Sequence, residues 1–113
     1  MTAIPENTEE YPINATNVSY MLSGATTYSG VELATWDVTI WTNAEHVLDN
    51  TAIDISGYDY ILSGWSDMVD TAGVTQEITV GVDGLVYSAT GSGYVDTLES
   101  YGWIFSGHSQ EVV

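Results

Sequence analysis

The side chains with metal-binding or proton-transfer chemistry in this chain are carboxylates, two histidines and many hydroxyls. Asp67 and Asp70 stand three residues apart, Asp54 and Asp59 flank Gly57, and Asp83 precedes Gly84. Calcium takes six to eight oxygens, which loop carboxylates and backbone carbonyls can supply. Asp67 and Asp70, read as members of one loop, are therefore the candidate metal ligands, with Ca²⁺ as the ion, while a solvated acidic face is the preferred reading of these carboxylates. No segment matches the twelve-residue EF-hand loop. His46 and His108 could each pair with a Ser and an Asp on paper, but the Gly-x-Ser-x-Gly turn that exposes a nucleophilic serine is absent. Gly91-Ser92-Gly93 lacks the third glycine of a dinucleotide fingerprint and reads as a glycine turn. Paired carboxylates for glycoside hydrolysis are uninformative among so many acids. The expectation is a protein without catalytic activity and without a required cofactor.

The second chemical feature is an absence. The 113 residues contain 16 Asp and Glu and not one Lys or Arg, a formal net charge of -16. Phosphate backbones are bound by displacing counterions with Lys and Arg, so nucleic acid is excluded as a partner. Anionic membrane surfaces are excluded by the same sign argument. Neither a membrane span nor a secretory leader is expected, since no apolar run is long enough and no basic segment precedes one. There is no cysteine, hence no disulfide and no thiolate site. At 44% hydrophobic, with four Trp and eight Tyr, the chain can build a core despite its charge.

Those aromatics are the other candidate for recognition. Trp36, Tyr87 and Trp103 are expected in the core from alternation. Trp41 and Trp65 lie beside turn residues and are expected at the surface, where exposed aromatics rimmed by polar groups mark binding sites. With Tyr11 they form the expected interface. A protein partner is the preferred occupant and a carbohydrate the alternative. Asn14-Ala15-Thr16 and Asn17-Val18-Ser19 match the N-glycosylation pattern.

The elements that would position these groups read as strands. Residues 1–16, bracketed by Pro5 and Pro12, read as an extended arm that orders on a neighbouring subunit. Residues 17–113 read as one domain of short strands rich in Val, Ile, Thr, Tyr and Trp. Between Val31 and Trp41 the alternation changes phase, which predicts a bulge near Ala34 and Thr35. Glu77 to Thr90 around Asp83-Gly84 reads as a two-residue hairpin, placing Val82 opposite Leu85 and Val80 opposite Tyr87. A short motif recurs at residues 20–24, 60–64 and 103–107 as Tyr-Met-Leu-Ser-Gly, Tyr-Ile-Leu-Ser-Gly and Trp-Ile-Phe-Ser-Gly, read as three strands ending in Ser-Gly turns. Helix is expected only as a turn or two within residues 44–50 and 94–101. The fold class expected is all-β: an antiparallel β-sandwich, immunoglobulin-like or jelly-roll, of about seven to eight short strands.

A small sandwich with a polar arm and no active-site pattern resembles the capsid decoration and tail accessory proteins of tailed viruses. The resemblance covers the whole chain in size, pattern and composition. The acid-rich, lysine-free composition is similar to proteins of halophilic archaea and their viruses, where molar salt screens charge over about 3 Å. The resemblance implies a structural component of a virion that binds other virion proteins and forms a homo-oligomer. The alternative is a carbohydrate-binding or adhesin-like β-domain assisted by Ca²⁺.

Overall fold

The computed structural model describes Ile4, Thr8, residues 13–73 and residues 75–111. Most of the expected arm, Tyr11 included, lies outside the described residues. Two helices, α1 (Ile55–Ala72) and α2 (Ala89–Ser100), carry most of the regular structure. The four strands are short: β1 (Thr79–Gly81), β2 (Val86–Tyr87), β3 (Ile104–Ser106) and β4 (Ser109–Gln110). They pair in parallel, β1 with β3 and β2 with β4. The antiparallel β-sandwich is therefore corrected to a mixed helix and strand fold.

Helix α1 follows from a 3.6-residue apolar period that the strand reading passed over. Tyr58, Ile61, Leu62, Trp65 and Val69 fall on one face and are buried. Its ends are specified chemically. The Asp54 carboxylate caps the first turn by accepting the Gly57 N–H at 2.7 Å. Gly73 closes the helix at φ +65°, its N–H donating to the Val69 carbonyl. Helix α2 is built alike: the Ser88 hydroxyl accepts the Thr90 N–H, and Gly91, Val95 and Leu98 face inward. Gly91-Ser92-Gly93 is thus helix rather than a glycine turn.

The extended segments form one parallel ladder in chain order. Rung 1 is residues 17–24, rung 2 residues 43–50, rung 3 residues 79–87 and rung 4 residues 104–110. Val18, Tyr20, Leu22 and Gly24 donate their N–H groups to the carbonyls of Asn43, Glu45, Val47 and Asp49. Leu48 and Asn50 donate to Gly81 and Asp83, and Val82 and Gly84 donate to Ser106 and Gly107. Parallel neighbours need long connections, which here run over one face of the ladder. The first holds two 3₁₀ turns, Glu32–Thr35 and Val38–Ile40; the second holds α1 and the third α2. The core lies between rungs and connectors. Repeats stacked in this way bury a continuous interior that no single unit could bury.

Three local expectations are corrected. Asp83-Gly84 does turn the chain, with Gly84 at φ +86° and the Leu85 N–H donating to the Val82 carbonyl. The chain then continues onward, so β1 and β2 pair with later strands and not with each other. Val80, Val82 and Leu85 are buried as a hairpin would also have had them, which is why burial pattern alone misled. Residues 60–64 sit in the middle of α1 while residues 20–24 and 103–107 reach the ladder, so the recurring motif is not one structural unit. The bulge read near Ala34 and Thr35 is a 3₁₀ turn.

Gly84 provides a direct test. A Cβ there would meet only the Asn50 Oδ1 at 3.8 Å, so space is available and the backbone conformation alone resists substitution. Gly84→Val is expected to destabilise the protein by about 1–3 kcal/mol, read as a lowered denaturant midpoint. An unchanged midpoint would place this residue outside the left-handed region.

Candidate interaction site

The ladder places one register out and the next in. Val18, Ala44 and Val80 point into the core, while Asn17, Ser19, Glu45, Ile104 and Ser106 stay at least partly accessible on the outer face. Rungs 1 and 2 share a local geometry. The Asn17 Oδ1 accepts the Ser19 N–H at 3.0 Å, and the Asn43 Oδ1 accepts the Glu45 N–H at 3.1 Å. The residues that follow, Tyr20 and His46, are both left-handed, at φ 59° and 60°. Gly24 and Asn50, four further on, are left-handed too.

Bulky side chains rarely adopt positive φ, and such strain collects at functional positions. Here it throws two rings outward from adjacent rungs. Tyr20 and His46 stack at 4.6 Å between centroids, 25° from parallel. Tyr20 remains 62% exposed. His46 is held from below: its Nδ1 lies 2.6 Å from the Asp49 Oδ2, and the buried Asp49 accepts the Asp83 N–H through Oδ1 at 3.0 Å. With Nδ1 engaged by a carboxylate, the Nε2 edge is left for a ligand. Beside the rings runs a cleft of about 250 Å³ lined by Glu45, His46, Thr79, Gly81 and Ser106. Its floor is low because rung 3 carries Gly81, where a Cβ would overlap the backbone N and Cα of His46. Carboxylate, hydroxyl and aromatic groups make a rim rich in acceptors, which suits a ligand that brings hydrogen-bond donors.

The residues expected to act lie elsewhere. Trp41 and Trp65, expected at the surface, are buried at 3% and 0% exposure and form the centre of the core with Trp103. The Trp65 Nε1–H donates to the Leu33 carbonyl at 2.9 Å, joining α1 to the first 3₁₀ turn. Trp36 and Trp103 are core as expected, and Tyr87 is half-buried. Asp67 and Asp70 belong to α1 and not to a loop; both are exposed, and Asp70 accepts the Tyr101 hydroxyl at 2.8 Å. No group of three or more His, Cys, Asp or Glu is gathered for a metal among the described residues. Other carboxylates do structural work: Asp54 caps α1, and Asp59 accepts the Ser88 hydroxyl and N–H where α2 begins.

Neither imidazole meets a serine or threonine hydroxyl among the described residues. His46 faces Asp49, and His108 Nδ1 lies 2.6 Å from the Tyr58 hydroxyl within a cluster that includes Tyr87 and Phe105. Burial holds His108 below the usual histidine range and pushes the Tyr58 phenol well up. Tyr28 is raised too, first by burial and then by Glu32, which accepts its hydroxyl at 2.5 Å.

These phenols have a consequence unusual for its clarity, because no Lys, Arg or Cys titrates alongside them. The folded state keeps Tyr28 and Tyr58 protonated above pH 10, where an unfolded phenol ionises. The unfolded chain then binds fewer protons, so stability is full below about pH 10 and falls above it, by roughly 1 kcal/mol per pH unit for each phenol. Unfolding titrations between pH 8 and 12 should show this decline, and Tyr28→Phe should flatten it. A profile indifferent to both Tyr28→Phe and Tyr58→Phe would refute the assignment.

Comparison with protein-family models, curated proteins and solved structures finds no match to this chain. No helix among the described residues is long and apolar enough to cross a membrane.

Proposed function

We propose that the chain is a non-enzymatic interaction module of a larger assembly, docking through the outer ladder face onto a cation-bearing protein surface. The exposed Tyr20–His46 stack, held in strained backbone over a buried Asp49, carries this reading. An acid-rich surface without Lys or Arg complements cations, which steer encounter, while a few aromatic anchors supply affinity. The virion setting was implied by resemblance to small β-sandwich proteins. With the sandwich corrected, composition alone supports that setting, and binding to purified viral particles is its direct assay. A saccharide is the second reading, favoured by the cleft of about 250 Å³ beside an aromatic ring.

Arrays of cationic, neutral and acidic peptides, probed beside a glycan array, separate these readings. Cationic peptides should bind in a salt-sensitive way, and Tyr20→Ala should weaken them about tenfold or more. Tyr20→Ala changes no charge, so binding by net charge alone would survive it and defeat the proposal. Glycan binding lost in Tyr20→Ala, with no peptide bound, would establish the saccharide reading instead.

A further inference from the structure

Four residues on the outer face stand in one column, one from each rung: Tyr20, His46, Gly81 and Ser106. The Tyr20 N–H donates to the Glu45 carbonyl, and its ring stacks on His46. Gly81 straddles His46, its N–H donating to the Ala44 carbonyl and its carbonyl accepting the Leu48 N–H. Ser106 is the register partner of Gly81 in the β1–β3 pair. The column thus carries a ring, a ring, no side chain and a hydroxyl. The vacancy is built in, because a Cβ at Gly81 would overlap the His46 backbone and only glycine fits. The cleft of about 250 Å³ lies at this vacancy, since its lining residues come from rungs 2, 3 and 4 and none from rung 1. Tyr20 covers one face of the imidazole, and the slot opens on the other side.

Two rung spacings, roughly 9–10 Å, separate the His46 and Ser106 positions, which leaves room for one flat group between them. The polar groups around the slot are free to bind it: the side chains of Glu45, Thr79 and Ser106 make no hydrogen bond among the described residues. The Asp49 carboxylate lies beneath the floor, its Oδ1 2.8 Å from where a Gly81 Cβ would stand. No Lys or Arg of this chain can supply the missing donors. We propose that the slot takes one arginine side chain of the partner, its guanidinium lying on the free face of His46 and donating to Glu45, Thr79 and Ser106. This rests on the docking function above and names the group that enters the site. A guanidinium is flat, permanently charged and ringed by five N–H donors, so it suits a flat slot rimmed by acceptors. A lysine ammonium brings the charge without the plane. A citrulline urea brings the plane without the charge.

The experiment titrates the full chain with the tripeptide Gly-Arg-Gly and with its lysine and citrulline counterparts. Nuclear magnetic resonance follows the His46 ring protons and the Gly81 amide. Gly-Arg-Gly should bind about tenfold more tightly than either counterpart, the effect of one charge-assisted hydrogen bond. Glu45→Gln should reduce the preference for arginine over citrulline severalfold. Ser106→Phe fills the slot from rung 4 and should abolish the shifts. Amide signals of α1 and α2 report whether each variant is folded, and Glu45→Gln, at an exposed position, carries the test should Ser106→Phe unfold. Equal binding of the arginine and lysine peptides would overturn the slot, and so would arginine binding that survives these substitutions. Docking of cationic peptides that still required Tyr20 would then stand, whereas no binding by any cationic peptide would overturn both readings. Shifts at His46 and Gly81 caused by a saccharide and not by arginine would assign the slot to the saccharide and overturn the proposal.

Discussion

Trp65→Ala is expected to lower the melting temperature by roughly 15–30 °C, which follows from a loss of about 3–5 kcal/mol at a buried large aromatic. Trp65 has no exposed surface and packs edge-on against Trp41 and obliquely against Trp103, at 5.4 and 5.5 Å between centroids. Truncation would leave a cavity at the meeting point of α1, the first 3₁₀ turn and the ladder. It would also remove the Trp65 Nε1–H bond to the Leu33 carbonyl, leaving that oxygen with the Trp36 N–H at 3.2 Å, and a lost buried hydrogen bond adds about 1 kcal/mol to the cost. Domains of this size have only about 5–15 kcal/mol in hand. Trp65→Phe keeps most of the volume and should lose clearly less. Thermal melting followed by far-UV dichroism is the measurement. A normal melting curve with impaired partner binding would return Trp65 to the surface and contradict the helix that buries it.

Gly81→Ala should cost about 3 kcal/mol or more, the upper end of what overpacking usually produces. Rungs 2 and 3 approach so closely there that an added Cβ would fall on the His46 backbone and come within 2.8 Å of the Asp49 Oδ1. Its neighbours there include main-chain atoms, which cannot swing aside, so the two rungs would have to part. Asp49 would shift with them, and the His46 ring would lose its support. A second signature is therefore predicted: Gly81→Ala should weaken partner binding nearly as much as Tyr20→Ala, although it removes no exposed group. Denaturant unfolding and the peptide array together check it. Unchanged stability in Gly81→Ala would mean that the rungs lie further apart than the ladder requires.

Much of α1 was legible in the sequence. The spacing of Tyr58, Ile61, Leu62, Trp65 and Val69, an Asp at the cap and a Gly after the last turn specify a helix without any tertiary information. Gly57, Gly64 and the β-favouring aromatics argued the other way, and packing overrides such propensities. Gly64 is needed for contact: a Cβ there would lie 2.5 Å from the Ala34 carbonyl oxygen. The burial of Trp41 and Trp65 became hidden once α1 was read as strand, because the alternation then placed them beside turns. The parallel ladder left a fainter trace. Its repeat keeps Asn17 with Asn43 and Leu22 with Leu48, but exchanges Tyr20 for His46 and Ser23 for Asp49. Left-handed backbone at Tyr20 and His46 leaves no mark in residue type, so the candidate site could not be found from the sequence.

The ladder also determines how the protein would answer a mechanical load. Its inter-rung bonds lie along the stacking direction, and residues 17 and 111 sit on opposite end rungs. Residue 17 begins rung 1 and residue 111 follows the end of rung 4, so tension between them runs largely along the parallel rungs and shears the bonds between neighbouring rungs together. A load applied this way meets the bonds of a rung pair at once, where one applied across the stack would open them one by one. Once the first pair gives way, releasing the 26 residues from Asn17 to Thr42 frees roughly 90 Å of extended chain.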